Sequence, residues 1–541
     1  MSGGGLRACM QDLGVVMALH DQGLLGRARY ISGNSGGSWF TAALGFLPED
    51  RSLEAFLAPG LLPPSALSMK VLGDLPQGSF ARVASEPVVA SGGPPAWLED
   101  QFSQGGARGY LDAFAADMAR RFLAPFGLFK PRSVISTEPG TEGHRRALEA
   151  VGHADVQVTP ARGDMPFPIL NAAIRSEVAG WLPLEFTPLY AGTPVRLRGP
   201  DGHEGGGAVE AFAAGCPAPH ALEQGGSAVG DGEEVVVSPE HFLPLPFAMG
   251  ASSNVRPLLR QRWPESDLLP EGQRKDPVMQ LWSPADIRSG RGGLKQVADG
   301  YASDNNGLLA LLRRCVDRAI IMIPHHVPVT HHDYANEVWW SAFFGALGRD
   351  WKGLKAHDVN RHQQVFDRGC WEPLLEELRG LANNGRPTTV ASTLDVLPNA
   401  RCGVEGGYKL RAIFVCASLS EEYLAQLPED TQAALQRTAR PDESAQERPY
   451  SLDASFPYLP TSTSAGDFDA PLCALLAQSA AHNLLACRET LHEFFEAEAE
   501  GPPAEAGGQG ANPWAWTGTL LHRMLSPAPA VTGRRRTRGG T

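Results

Sequence analysis

No apolar run in the 541 residues approaches the 18 or so needed to cross a bilayer; Leu13–Leu19 and Ala319–Ile323 are among the longest. A membrane-spanning helix is therefore not expected. The eight cysteines, spread from Cys9 to Cys487, form no C-x-x-C pair, so the pattern indicates neither a zinc site nor a disulfide framework. Basic residues are the minority, 47 against 60 acidic, which gives a net charge of −13 and a pI of about 5.6. Such a chain is a poor non-specific binder of nucleic acid. The start, Met1-Ser2-Gly3-Gly4-Gly5, has no basic or apolar stretch of the kind a signal peptide needs. A reduced, soluble, intracellular protein is the expectation. Internal repeats are missing too.

What is present is ample core material, 43% hydrophobic residues, together with 60 glycines and 44 prolines that predict long loops. The first 45 residues read as loop (Ser2–Gly5), helix (Arg7 to Leu19), strand (Ala28–Ser32), turn (Gly33–Gly37) and helix (Ser38–Phe46). Alternation at this spacing predicts an α/β layered fold with a parallel sheet. Further helices are expected over Gly109–Leu128, Leu374–Leu381 and Phe468–Glu498, and strands over Val235–Val237 and Arg318–Ile323. The glycine-rich stretch 199–232 reads as a surface excursion. Residues 496–541, rich in Gly, Pro, Ala and Glu, read as a disordered tail after a domain covering 1–495.

Three segments carry chemistry. Gly33-Asn34-Ser35-Gly36-Gly37 matches G-x-S-x-G between a strand and a helix, a sharp turn that lifts a serine hydroxyl clear of the backbone. In a glycine-rich chain the same letters also serve as a plain tight turn. Ser2-Gly3-Gly4-Gly5-Leu6-Arg7 puts consecutive backbone N–H groups before a helix, where they can face a developing oxyanion, with Arg7 as a nearby cation. The alternative there is a flexible terminus. Asp299-Gly300-Tyr301-Ala302-Ser303-Asp304-Asn305-Asn306-Gly307 leads into an apolar helix, Leu308–Leu312. An aspartate beside a serine hydroxyl can serve as a general base without a histidine, and the Asn side chains can pin the loop backbone. The alternative is an Asx turn capping that helix.

Together the three segments resemble the patatin and cytosolic phospholipase A2 family, in its lysophospholipase branch. Further segments are similar to that branch: Leu184-Glu185-Phe186-Thr187-Pro188-Leu189-Tyr190, the small-residue turn Gly250-Ala251-Ser252-Ser253, and Phe456-Pro457-Tyr458-Leu459-Pro460-Thr461. The resemblance spans roughly 1–495. It implies a patatin-like layered fold with a central, mainly parallel sheet flanked by helices. It implies Ser35 as nucleophile, Asp299 as base, Gly4 and Gly5 as oxyanion donors, and Arg7 as a holder of substrate phosphate or a stabiliser of charge. No metal and no organic cofactor is implied. The expected activity is hydrolysis of a fatty acyl ester in a glycerophospholipid or lysophospholipid. The expected partner is lipid at a membrane or micelle surface, reached by a cytoplasmic protein that sits peripherally on it; nucleic acid is not a partner. Two rival readings are an α/β-hydrolase with a Ser-Asp-His triad and a non-catalytic lipid-binding member of the same fold.

The sequence departs from the family in three places. A C2-like calcium-binding domain ahead of the catalytic segments is not expected. The 199–232 stretch has no family counterpart. The strand that should run into the glycine loop is missing, and the expectation is a native start upstream of Met1, with an apolar strand of about four to six residues. Other candidates read as structural: His325-His326 and His331-His332-Asp333 as a solvated loop rather than a metal site, and Leu61–Leu75 as core packing rather than an interfacial lid. Arg534, Arg535, Arg536 and Arg538 read as a solvated terminus, and the acidic remainder should be repelled by anionic membranes.

Overall fold

The structure is a computed structural model. It describes residues 1–86, 113–130, 132–150, 152–199, 202–211, 242–254, 278–281, 293–332, 334, 339–346, 362–438, 449–459 and 467–496. The expected strand Val235–Val237 and the expected tail beyond Glu496 lie outside these residues.

The first helix, α1 (Gly5–Asp21), is buried on every face from Gly5 to Leu19. It is a core helix, with no polar stripe to turn outward. It packs against the Ala470–Leu485 helix, and Gly14 sets the approach, since a Cβ there would collide with the Ala477 carbonyl. Strand β1 (Tyr30–Asn34) follows, then α2 (Gly36–Gly45), itself wholly buried. The other strands are β2 (Ser133–Ser136), β3 (Gln157–Pro160), β4 (Phe167–Ser176), β5 (Gly180–Phe186), β6 (Tyr190–Gly199), β7 (Gly202–Glu210), β8 (Val278–Leu281), β9 (Gly293–Asp299), β10 (Arg318–Ile323), β11 (Thr389–Val396) and β12 (Tyr408–Cys416).

The main sheet corrects the expectation of a mainly parallel one. It has seven strands in the order β7-β6-β5-β4-β9-β8, with β1 also on β4. Only β1 runs parallel to its neighbour; the other described pairings are antiparallel. The reason lies in the connections. β4, β5, β6 and β7 follow one another through links of a few residues, too short for the crossover that parallel pairing requires. Part of the supposed surface excursion, Gly202–Glu210, is strand β7 of this sheet. A second sheet, β10-β12-β11, has its own core around Trp340, Phe344 and Trp371, and β2-β3 form a short parallel pair.

β4 fixes where the candidate site falls. β5 lines one side of it over Leu170–Ser176. On the other side β1 pairs up to Asn34↔Asn171, and β9 takes over at Ala172↔Asp299. β1 runs parallel to β4 and β9 antiparallel to it, so their C-terminal ends meet head to head on one edge of β4. Within Leu61–Leu75, expected as core packing, Leu67, Leu72 and Leu75 are buried in the core, while Val71 is outside at 39% exposure. The expected helix over Phe468–Glu498 is two helices, Ala470–Leu485 and Arg488–Glu496, bent by 69°. No single helix among the described residues is long and apolar enough to cross a membrane.

Candidate active site

Ser35 follows β1 and caps α2 with φ 48° and ψ −122°, a left-handed conformation that L residues rarely adopt. Its hydroxyl makes no capping bond to α2. Its N–H donates to the Ser252 carbonyl at 3.2 Å, and its own carbonyl accepts from Ser38 N–H at 2.9 Å. Asn171 of β4 holds the approach to the turn, donating through Nδ2 to Ser32 Oγ at 2.9 Å and to the Gly33 carbonyl at 2.8 Å. Ser252 Oγ in turn donates to the Asn171 carbonyl at 2.5 Å. The Gly250–Ser253 segment, expected as a turn, is the end of a helix, Leu245–Ser252, and it supplies the acceptor for Ser35 N–H.

The glycine loop lies against this turn. Gly4 and Gly5 both have positive φ, 142° and 63°, and Gly5 opens α1. A Cβ on Gly36 would strike the Gly5 carbonyl, so two glycines far apart in sequence permit one backbone contact. The N-termini of α1 and α2 therefore meet beside Ser35, and both favour negative charge there. Gly3 N–H is taken by the Asn305 carbonyl at 2.8 Å, whereas no hydrogen bond from Gly4 or Gly5 N–H is formed among the described residues.

Asp299 is fully buried at the end of β9. Its N–H donates to the Asn254 carbonyl at 2.8 Å, and its Oδ1 accepts from Tyr301 N–H at 2.8 Å. Burial pushes its carboxyl up to about 7; Tyr301 N–H and the Ser35 hydroxyl pull the other way. Oδ2 has no hydrogen bond of full geometry. The Ser35 hydroxyl is near enough to pull on the carboxyl without forming a hydrogen bond to Oδ2. Asp299 does not cap the Leu308–Leu312 helix. Asp304 does so, accepting Asn306 N–H at 3.0 Å and Leu309 N–H at 2.6 Å.

Arg7 stands away from solvent, at 3% exposure. Its guanidinium donates to the Leu459 carbonyl, and to the Pro324 carbonyl at 3.1 Å. Burial lowers its pKa to about 10. A Cβ on Gly4 would lie 3.6 Å from its Nη2, so the cation backs the glycine loop and anchors the Phe456–Leu459 segment. The histidine loop is only partly solvated, which corrects its reading as a solvated loop. His325 is buried beside Tyr334 and Tyr458, and burial pulls its pKa down to about 3.

Sequence reasoning missed the polar residues that hold these pieces. Asn171 and Asn254 carry no motif signal, and Ser252 had one only through the Gly250–Ser253 family segment, with no role attached. Glu185 and Tyr190 had one, through the Leu184–Tyr190 family segment, but Arg313 and Arg314 did not. Arg313 Nη2 reaches Glu185 Oε1 and Arg314 Nη2 reaches Oε2, each at 2.7 Å, and Tyr190 donates its hydroxyl to Oε2 at 2.5 Å. Burial alone would raise the Glu185 carboxyl, but Arg314 and Arg313 outweigh it and hold it at about 2. This buried cluster fastens β5 to the chain just beyond the Asp299 loop.

No curated protein matches the sequence at a significant level. Among solved structures, human GIVD cytosolic phospholipase A2 in complex with methyl gamma-linolenyl fluorophosphonate is similar at 16% identity, covering 91% of this chain and 58% of that one, with a TM-score of 0.35. Human GIVD cytosolic phospholipase A2 alone gives 14% identity, 91% and 61% coverage, and a TM-score of 0.36. The chain therefore spans about three fifths of the length of these structures. Residues 1–56, which hold the glycine loop, α1, the Ser35 turn and α2, match the family described as lysophospholipase catalytic domain, the family to which the sequence resemblance pointed.

Proposed function

We propose that the protein is a serine acyl hydrolase that cleaves a fatty acyl ester of a glycerophospholipid or lysophospholipid. One observation carries the reading. The ends of β1 and β9 meet on β4, so that Ser35 and the buried Asp299 carboxyl come to one junction beside two helix N-termini, and this supports the pair. Ionised Asp299 accepts the Ser35 proton as Oγ attacks the ester carbonyl carbon. Negative charge gathers on the carbonyl oxygen, which Gly4 and Gly5 N–H groups stabilise. Collapse breaks the bond to the alcohol oxygen, which leaves with the proton held by Asp299. Water then gives a proton to Asp299, attacks the acyl-Ser35 ester, and releases the fatty acid as Ser35 regains its proton.

Arg7 serves the charge on the glycine loop from behind, since carbonyls occupy its guanidinium. We take residues 1–495 as the catalytic domain. Its substrate is packed in a membrane or micelle, so the enzyme works at that surface. The free state of the described cysteines suits a reducing, cytoplasmic compartment.

The test is a fluorophosphonate probe with peptide mapping, alongside release of fatty acid from phospholipid and lysophospholipid micelles. Label on Ser35, lost with hydrolysis in Ser35→Ala, is expected. Label on a different serine, or a histidine whose replacement by Ala matches the loss in Asp299→Asn, sinks the Ser-Asp reading.

A further inference from the structure

We infer that Asn305 is a positioning residue that registers the three loops of the active site against one another. The inference rests on the Ser35–Asp299 reading and extends it to a residue outside that pair. The glycine loop, the Ser35 turn and the Asp299 loop come from residues 3–5, 33–37 and 299–307, and each ends in a different element. Asn305 touches all three. It belongs to the third. Its carbonyl accepts Gly3 N–H of the first at 2.8 Å. Its Oδ1 accepts from Asn34 Nδ2 of the second at 3.3 Å.

The contacts around it leave little slack. A Cβ on Gly3 would lie 2.5 Å from Asn305 Oδ1, so Gly3 backbone sits flush on that amide. Asn34 is fully buried and immediately precedes Ser35. Its Oδ1 has no partner and lies where a Cβ on Gly300 would be, so Asn34 meets the residue after Asp299 on one side and Asn305 on the other. Losing Asn305 Oδ1 removes the hydrogen bond that holds the Asn34 amide in place. Both neighbours of the Ser35–Asp299 pair would then be free to shift.

A displacement of about 1 Å at a reacting centre costs roughly a hundredfold in rate. Asn305 is itself only half-buried, so its removal opens no core cavity. The loss therefore belongs to kcat, with KM nearly unchanged.

The experiment uses the full chain with Asn305→Ala, Asn34→Ala and the double variant. Sites are first counted by complete fluorophosphonate labelling, and kcat is expressed per labelled site. A misfolded fraction then drops out of the comparison. Asn305→Ala is expected to label fully but about 10–100-fold more slowly, with kcat lowered by the same factor and KM within about threefold. Asn34→Ala should fall similarly, and the double variant should be no worse than the poorer single one, because the two side chains act through one bond. Wild-type kcat per site in Asn305→Ala, or losses that multiply in the double variant, overturns the inference. If the wild-type protein labels at a serine other than Ser35, the underlying reading fails first, and the two failures are thereby distinguished.

Discussion

Replacing Asp299 by Asn should abolish turnover and stabilise the protein, and the second effect has a definite pH dependence. The carboxyl moves from 3.8 to about 7 on folding because it is buried, which favours the neutral form by about 4 kcal/mol. Its folded pKa lies above its unfolded one. The stabilisation is therefore complete below pH 3.8 and disappears as pH rises through about 7. Between those limits the native state holds a proton that the unfolded chain has lost, and stability falls by about 1.4 kcal/mol per pH unit. The amide of the variant would have nothing to ionise. The variant should match wild type near pH 3.5, gain over it steadily from pH 4 to 7, and level off above with an advantage of at most about 4 kcal/mol. Water entry and relaxation around the charge reduce that figure. Asp12 is raised by burial to about 7 as well, but it is present in both proteins and cancels in the difference. The assay is paired thermal or urea melts across pH 3.5–8.5, with hydrolysis measured in parallel. A difference that is flat with pH would refute the claim that Asp299 is an ionisable group held out of water. Activity in the variant within about tenfold of wild type would refute its role as base, since a general base contributes roughly 10²–10⁴-fold.

Ser35→Gly should raise stability by about 1 kcal/mol while removing all fluorophosphonate labelling, because glycine accepts φ 48° without strain; a destabilised variant would mean the turn carries no strain. Arg7→Lys should lower activity on a phospholipid and on a neutral p-nitrophenyl ester by the same factor, because the forked guanidinium serves two carbonyls and the glycine loop; a selective loss on phospholipid would return Arg7 to phosphate binding.

The local parts of this site were legible in the sequence, and their meeting was not. Helix, strand, turn and helix over the first 45 residues are present, each within a few residues of its expected bounds. The largest shifts are at glycines. Gly4-Gly5 and Gly36-Gly37 read as breaks, yet α1 starts at Gly5 and α2 at Gly36, since the first turn of a helix tolerates the residue that close contact requires. β4 and β5 went unread for another reason. Nearly every residue from Phe167 to Phe186 within them is buried, so the alternation that marks a strand is absent, and Pro168 and Pro183 argue against one. Without β4 the neighbouring of Asn34 and Asp299 has no local trace. It entered through family resemblance, and its physical cause is a register 260 or so residues wide.

On the proposed Ser35–Asp299 reading, that register would also let an aspartate serve without a histidine. An exposed aspartate near pH 4 is a weak base toward a serine hydroxyl, and at neutral pH it gains little by accepting a proton. Two helix N-termini beside Ser35 would, if anything, make a nearby carboxyl more acidic. Desolvation is the opposing force, and it needs a place where a strand end is covered on all sides. The edge of β4 supplies that place: β5 closes the far side, β1 arrives from one direction and β9 from the other. The same junction that brings the serine to the carboxylate also shuts out the water that would keep the carboxylate acidic. On that reading proximity and basicity have one structural origin, and a change that opened the junction should weaken both together.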